Sequence, residues 1–189
     1  MGNYLKMQIT DKENLCQNIY TNEIIKSAVY LKEYEQYAKI GKKIIPATCY
    51  TNFRDGLFHF RKLARCLEEH EIMQQSFAVK EHLNRARTDA KISVLFYFSG
   101  VASELLKDDS ISDRIKCKLR KALHEMKHII LTSRIDGMMM SGVSVRKVEE
   151  DEVIIILQDF FDLVQEYCFE QFTEINNRTD LKSEGLLDE

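Results

Sequence analysis

Residues 92–98 read Ile92-Ser93-Val94-Leu95-Phe96-Tyr97-Phe98. By periodicity alone this run fits a buried strand as well as a buried helix, so its reading decides the fold. Its helical flanks and the total length of the segment favour a helix, because strands run to roughly 4–8 residues. The spacing therefore predicts one helix over about 76–107. The rest of the chain agrees with that choice. One proline and seven glycines in 189 residues are too few breakers for many short strands, and long helices are expected.

Upstream, Leu15, Ile19, Ile24, Ala28, Leu31, Tyr34 and Ala38 recur every three to five residues and predict a helix over 11–40. Thr10 or Asp11 is placed to cap its start and Gly41 to end it. The loop 41–46 holds the only proline, Pro46. A second helix is predicted over 47–73, with Phe53, Phe60, Leu63, Ala64 and Leu67 on one face. Downstream of the third helix, Asp108, Asp109 and Ser110 mark a turn. A fourth helix is expected over 111–134, capped by Ser110 or Ser112, with the apolar stripe Ile115, Leu119, Ala122, Met126 and Ile129. Residues 135–147 read as a loop carrying Met138, Met139 and Met140. A fifth helix, 148–175, has apolar residues around much of its circumference and is expected to be central and buried. The fold class is thus all-α, a single-domain helical bundle of five to six helices over residues 1–175. A polar, flexible tail is expected over 176–189.

A hydrophobic fraction of 44% is enough for a sizeable core, and a net charge of −3 gives no whole-protein attraction to nucleic acid. An anion site would have to be local. Cys16, Cys49, Cys66, Cys117 and Cys168 are odd in number and widely spaced, which fits reduced thiols in a cytoplasmic protein. No basic-then-apolar leader opens the chain. The longest apolar run, Val94 to Ala102, is interrupted by Ser99 and Gly100, so no membrane span is expected.

The chemistry concentrates in Asn52-Phe53-Arg54-Asp55-Gly56-Leu57-Phe58-His59 on the second helix. Arg54 and His59, five residues apart, stand about 140° apart around a helix and can both border one groove. Asp55 and His59 are i, i+4 neighbours, close enough for the carboxylate to fix the ring's tautomer. Phe58, Arg61 and Arg65 extend the Arg54 face. An aromatic there needs a partner, either another helix or a second subunit.

These residues resemble the R-x(4–6)-H motif of the HEPN family of all-helical ribonucleases and nucleotide-linked toxins. In that family the residue after the arginine is often polar, as Asp55 is. The resemblance implies a homodimer whose two motif helices form a composite RNA-cleavage site. Arg54 would hold the scissile phosphate, His59 would act as acid or base, and Asp55 would position it. No cofactor is implied. The plainer alternative is a non-catalytic helical interaction module in which Arg54 and Asp55 are solvated helix residues.

A third reading rests on His124-Glu125-Met126-Lys127-His128, an HExxH string. Two histidines at i, i+4 with a glutamate between them can bind zinc and activate water. Against it stand the absence of a predicted sheet, the charged Lys127, and an apolar stripe that points away from His124 and His128. The same helix carries Arg114, Lys116, Lys118, Arg120, Lys121 and Lys127, with Lys118 and Lys121 as candidate nucleic-acid contacts beside Arg61 and Arg65. The acidic run Glu149-Glu150-Asp151-Glu152 offers these cations an internal partner instead.

Overall fold

The ambiguous run 92–98 lies inside one 37-residue helix, α4 (Glu69–Leu105). The computed structural model describes residues 9–135 and 149–183. Met138–Met140 and most of the predicted 135–147 loop fall outside the described residues. In chain order the elements are α1 (Ile9–Ile19), a π-helical segment (Tyr20–Ile25), α2 (Lys26–Ile40), α3 (Ala47–Leu63), α4, α5 (Asp113–Ile135), α6 (Glu150–Tyr167) and α7 (Phe169–Ser183). The first three run without a break, giving six helices. No strand occurs among the described residues, and the protein is an all-α helical bundle.

Two breaks depart from the expected boundaries. The predicted 47–73 helix stops at Leu63, and α4 starts afresh at Glu69. The last carbonyls of a helix need outside donors. Here Lys12 supplies them, its Nζ donating to the carbonyls of Ala64 (3.0 Å) and Cys66 (2.6 Å). Leu67, expected on the buried face, falls in the resulting turn and is 89% exposed. The predicted 148–175 helix breaks at Cys168, whose φ of −139° and ψ of 21° leave the helical region. α6 buries Val153, Leu157, Phe160, Leu163 and Val164 on one face and leaves Ile155 exposed, so it is not buried all round. α7 continues past 175 to Ser183, and buried Asn176 accepts a hydrogen bond from the Tyr97 hydroxyl.

The described residues form two compact units, one of 9–33 and 46–90, the other of 34–45, 91–135 and 149–183. The first is built on Ile19, Ile24, Leu63, Ile72, Val79 and Leu83, with Leu15, Phe53 and Phe60 packed against them. Its π segment is held from the side. The Ser27 hydroxyl donates to the Glu23 carbonyl (2.5 Å), and Arg87 donates to Ser27 Oγ (2.7 Å) and to the Glu23 carboxylate (3.3 and 3.4 Å). The second unit centres on an aromatic cluster. Phe161 lies 4.7 Å from Phe98, 5.4 Å from Tyr37 and 6.1 Å from Phe172, centroid to centroid. Lys91 pairs with Glu150 at 3.2 Å, and the Tyr34 hydroxyl donates to the same carboxylate. On α5 the stripe Ile115, Leu119, Met126 and Ile129 is buried.

Candidate active site

Gly56 sets the geometry of the motif helix. It is buried midway along α3, where glycine is unfavourable by roughly 1 kcal/mol relative to alanine. A Cβ there would come within 2.9 Å of Leu83 Cδ2, 3.0 Å of Leu83 Cγ and 3.6 Å of His82 Cβ on α4. The missing side chain lets the two helices of the first unit meet closely. One turn of α3 beyond, that approach lays the His59 ring on the His82 ring, with centroids 5.2 Å apart and planes 14° from parallel.

Both imidazoles are half-buried and anchored the same way. His59 Nδ1 lies 2.8 Å from Gln75 Oε1, and His82 Nδ1 lies 3.3 Å from Asn52 Oδ1. An amide oxygen only accepts, so each Nδ1 carries the proton and donates it. In the neutral ring Nε2 then bears the lone pair. Neither Nε2 hydrogen-bonds to another described residue. Two rings with fixed tautomers and available Nε2 atoms therefore sit side by side, each able to take up or release a proton.

The other motif residues are arranged differently from the i, i+4 expectation. Asp55 does not orient His59. Its Oδ1 instead accepts from Arg54 Nε at 3.4 Å and Nη2 at 3.3 Å. The orienting role passes to Gln75, because α4 brings that amide to the ring edge. Arg54 and His59 do not touch. The Arg54 side chain is 75% exposed, and so open a pair contributes only about 0–1 kcal/mol, leaving the guanidinium easily diverted to another anion. Phe58 is 53% exposed, meets His59 edge-on at 5.9 Å, and carries Lys62 Nζ 4.4 Å over its ring. Arg61 and Arg65 are exposed on the same unit.

Lys118 and Lys121 belong to the second unit, so the four candidate nucleic-acid contacts are split between the two. Lys118 stands 5.5 Å over the Tyr167 ring, and Lys121 lies 3.8 Å from Glu125. Both line a groove shared with Asp159, Asp162 and Glu166, so the α5 cations face α6 carboxylates there. His124, Glu125 and His128 line a neighbouring cavity of about 430 Å³ together with Glu152 and Asp159. Among the described residues, no group of three or more His, Cys, Asp or Glu is placed to hold a metal ion. No helix of the described residues is long and apolar enough to cross a membrane.

His82, Gln75 and Asn52 escaped the sequence reading. His82 is 23 residues from His59 and joins it only through the packing of α3 on α4. The available signal was Gly56, a glycine inside a helix with no turn to make. No protein-family model matches this chain, and no curated protein or solved structure matches it.

Proposed function

We propose that the first unit carries an acid–base centre for cleaving the RNA backbone, with His59 and His82 as the proton-transfer residues and Arg54 as the phosphate contact. The observation that carries this reading is the stacked imidazole pair, with each Nδ1 anchored by an amide and each Nε2 available. One imidazole takes the proton of a ribose 2′-hydroxyl. The 2′-oxygen attacks phosphorus, and the bond to the 5′-oxygen breaks. The other imidazole, entering protonated, gives its proton to that leaving oxygen. The products are a 2′,3′-cyclic phosphate and a free 5′-hydroxyl. Positioned proton transfer of this kind contributes about 10²–10⁴-fold. Arg54, released from Asp55, would bind the non-bridging oxygens through its forked donors as negative charge builds.

The Arg54–His59 spacing is also what resembles the HEPN motif. With exposed Phe58 beside it, that likeness favours a homodimer joined along the α3 edge, which would double the cationic surface. The test is cleavage of a mixed-sequence oligoribonucleotide in the presence of EDTA. His59→Ala should abolish cleavage while keeping the helical spectrum. Arg54→Lys should be severely impaired, because an ammonium lacks the guanidinium fork. Light scattering should show a species larger than the 22.2 kDa monomer.

A second reading is favoured by Leu67, Met73 and Phe77, which are exposed near the same edge and suit a helical interaction surface. On that reading the wild type cleaves no RNA, and substitutions at Phe77 alter only partner binding.

A further inference from the structure

The second unit holds a cavity of about 460 Å³, within the ~300–1,000 Å³ range of small-ligand sites. Its walls are chiefly apolar, with Val94, Tyr97, Val101 and Ile175 among them, and Ile44 stands at its mouth with 90% exposure. Gly100 forms part of the lining. Unlike Gly56, it has no packing reason to be glycine, since a Cβ there would meet nothing within 4 Å. Gly41 differs too, because its Cβ would collide with Tyr97 Cε1 at 2.1 Å. A glycine deep in a long helix, facing open space, leaves bare backbone for something outside the chain to lie against.

Shape and charge narrow the occupant. The α4 lining positions, Ser93 to Glu104, span about 16 Å at 1.5 Å per residue, which suits an extended chain better than a compact ring. Of the two charged residues in the lining, Glu104 is already met by Lys107 at 2.6 Å, while Lys43 holds its ammonium 5.6 Å from the Tyr97 ring centroid. The net electrostatic bias of the rim is therefore cationic. We infer that this groove binds a free acyl-chain carboxylate, the chain lying along α4 over Gly100 and the carboxylate turned towards Lys43.

The test is calorimetric titration of the full chain with monomeric dodecanoate and with dodecanol. Saturable one-to-one binding of dodecanoate is expected. Gly100→Phe, which fills the groove without touching another residue, should weaken it at least tenfold. Gly100→Ala should leave it intact. Lys43→Gln should weaken dodecanoate about threefold to fivefold, the worth of an exposed charge contact, without affecting dodecanol. Should Gly100→Phe lose its helical spectrum, Ile44→Glu serves in its place. That side chain is already in solvent, and the added carboxylate should repel the ligand. Absence of saturable binding, equal binding by Gly100→Phe or Ile44→Glu, or binding only to phosphatidylglycerol vesicles would overturn the inference.

Discussion

Gly56 and Gly100 form an internal comparison that tests whether α3 and α4 meet as closely as the histidine pair requires. Both are helical glycines, so alanine should bring each about 1 kcal/mol from backbone propensity. At Gly100 the new methyl meets nothing, and the gain should appear whole, raising the melting temperature by about 2–4 °C for a chain of this size. At Gly56 the methyl would sit 2.9 and 3.0 Å from two atoms of Leu83, against roughly 3.5–4.0 Å for comfortable carbon contacts. Leu83 is fully buried and has little room to turn away. Overpacking of that kind costs about 1–3 kcal/mol. Gly56→Ala should therefore be about 1–3 kcal/mol less stable than Gly100→Ala, and neutral to destabilised relative to wild type. Thermal melts followed by circular dichroism measure the difference. Histidine ring resonances report whether His59 and His82 separate. If Gly56→Ala stabilises as much as Gly100→Ala and leaves those resonances unmoved, the close approach of the two helices is wrong.

Arg87 is only 11% exposed and holds Glu23 and Ser27 together at the π segment, so Arg87→Met should cost about 2–3 kcal/mol, read as a shifted urea midpoint. Cys49 is pushed up to about 11 by burial, with the nearby charge of Asp89 adding to it. Its folded value lies above the ordinary 9.0, so the stability it contributes is whole below pH 9 and is lost as pH rises through about 11. Between pH 8 and 11 the melting temperature of the wild type should fall more steeply than that of Cys49→Ala. At pH 8 only about one Cys49 in a thousand is thiolate, so iodoacetamide should modify exposed Cys117 first, as peptide mapping would show.

The all-α class was legible because it rests on local patterns. Residues 92–98 joined their helical flanks, and the Ile115–Ile129 stripe became the buried face of α5. What stayed hidden depends on residues far apart in the chain. The stop of α3 is satisfied by Lys12, more than fifty residues earlier, so nothing near Leu63 announced it. The same holds for the tail. Asn176 looked like part of a polar end until Tyr97 and the carbonyl of Ile40 supplied partners for its amide. At the site, Arg54, Asp55 and His59 were visible as a motif. Sequence spacing permitted an Asp55–His59 contact without deciding it against the adjacent Arg54. Gln75, His82 and Asn52 enter only through helix packing.

The central claim is the pairing of His59 with His82, and His82→Gln tests it most directly, because no reading of the Arg54–His59 motif alone gives His82 a part. The measurement is the rate of oligoribonucleotide cleavage in EDTA by wild type and variant, with the ends analysed for 2′,3′-cyclic phosphate. The account predicts cyclic-phosphate products from the wild type and a loss of about 10²–10⁴-fold in the variant, with its helical spectrum unchanged. Undiminished cleavage by His82→Gln, or no cleavage by the wild type, would contradict it.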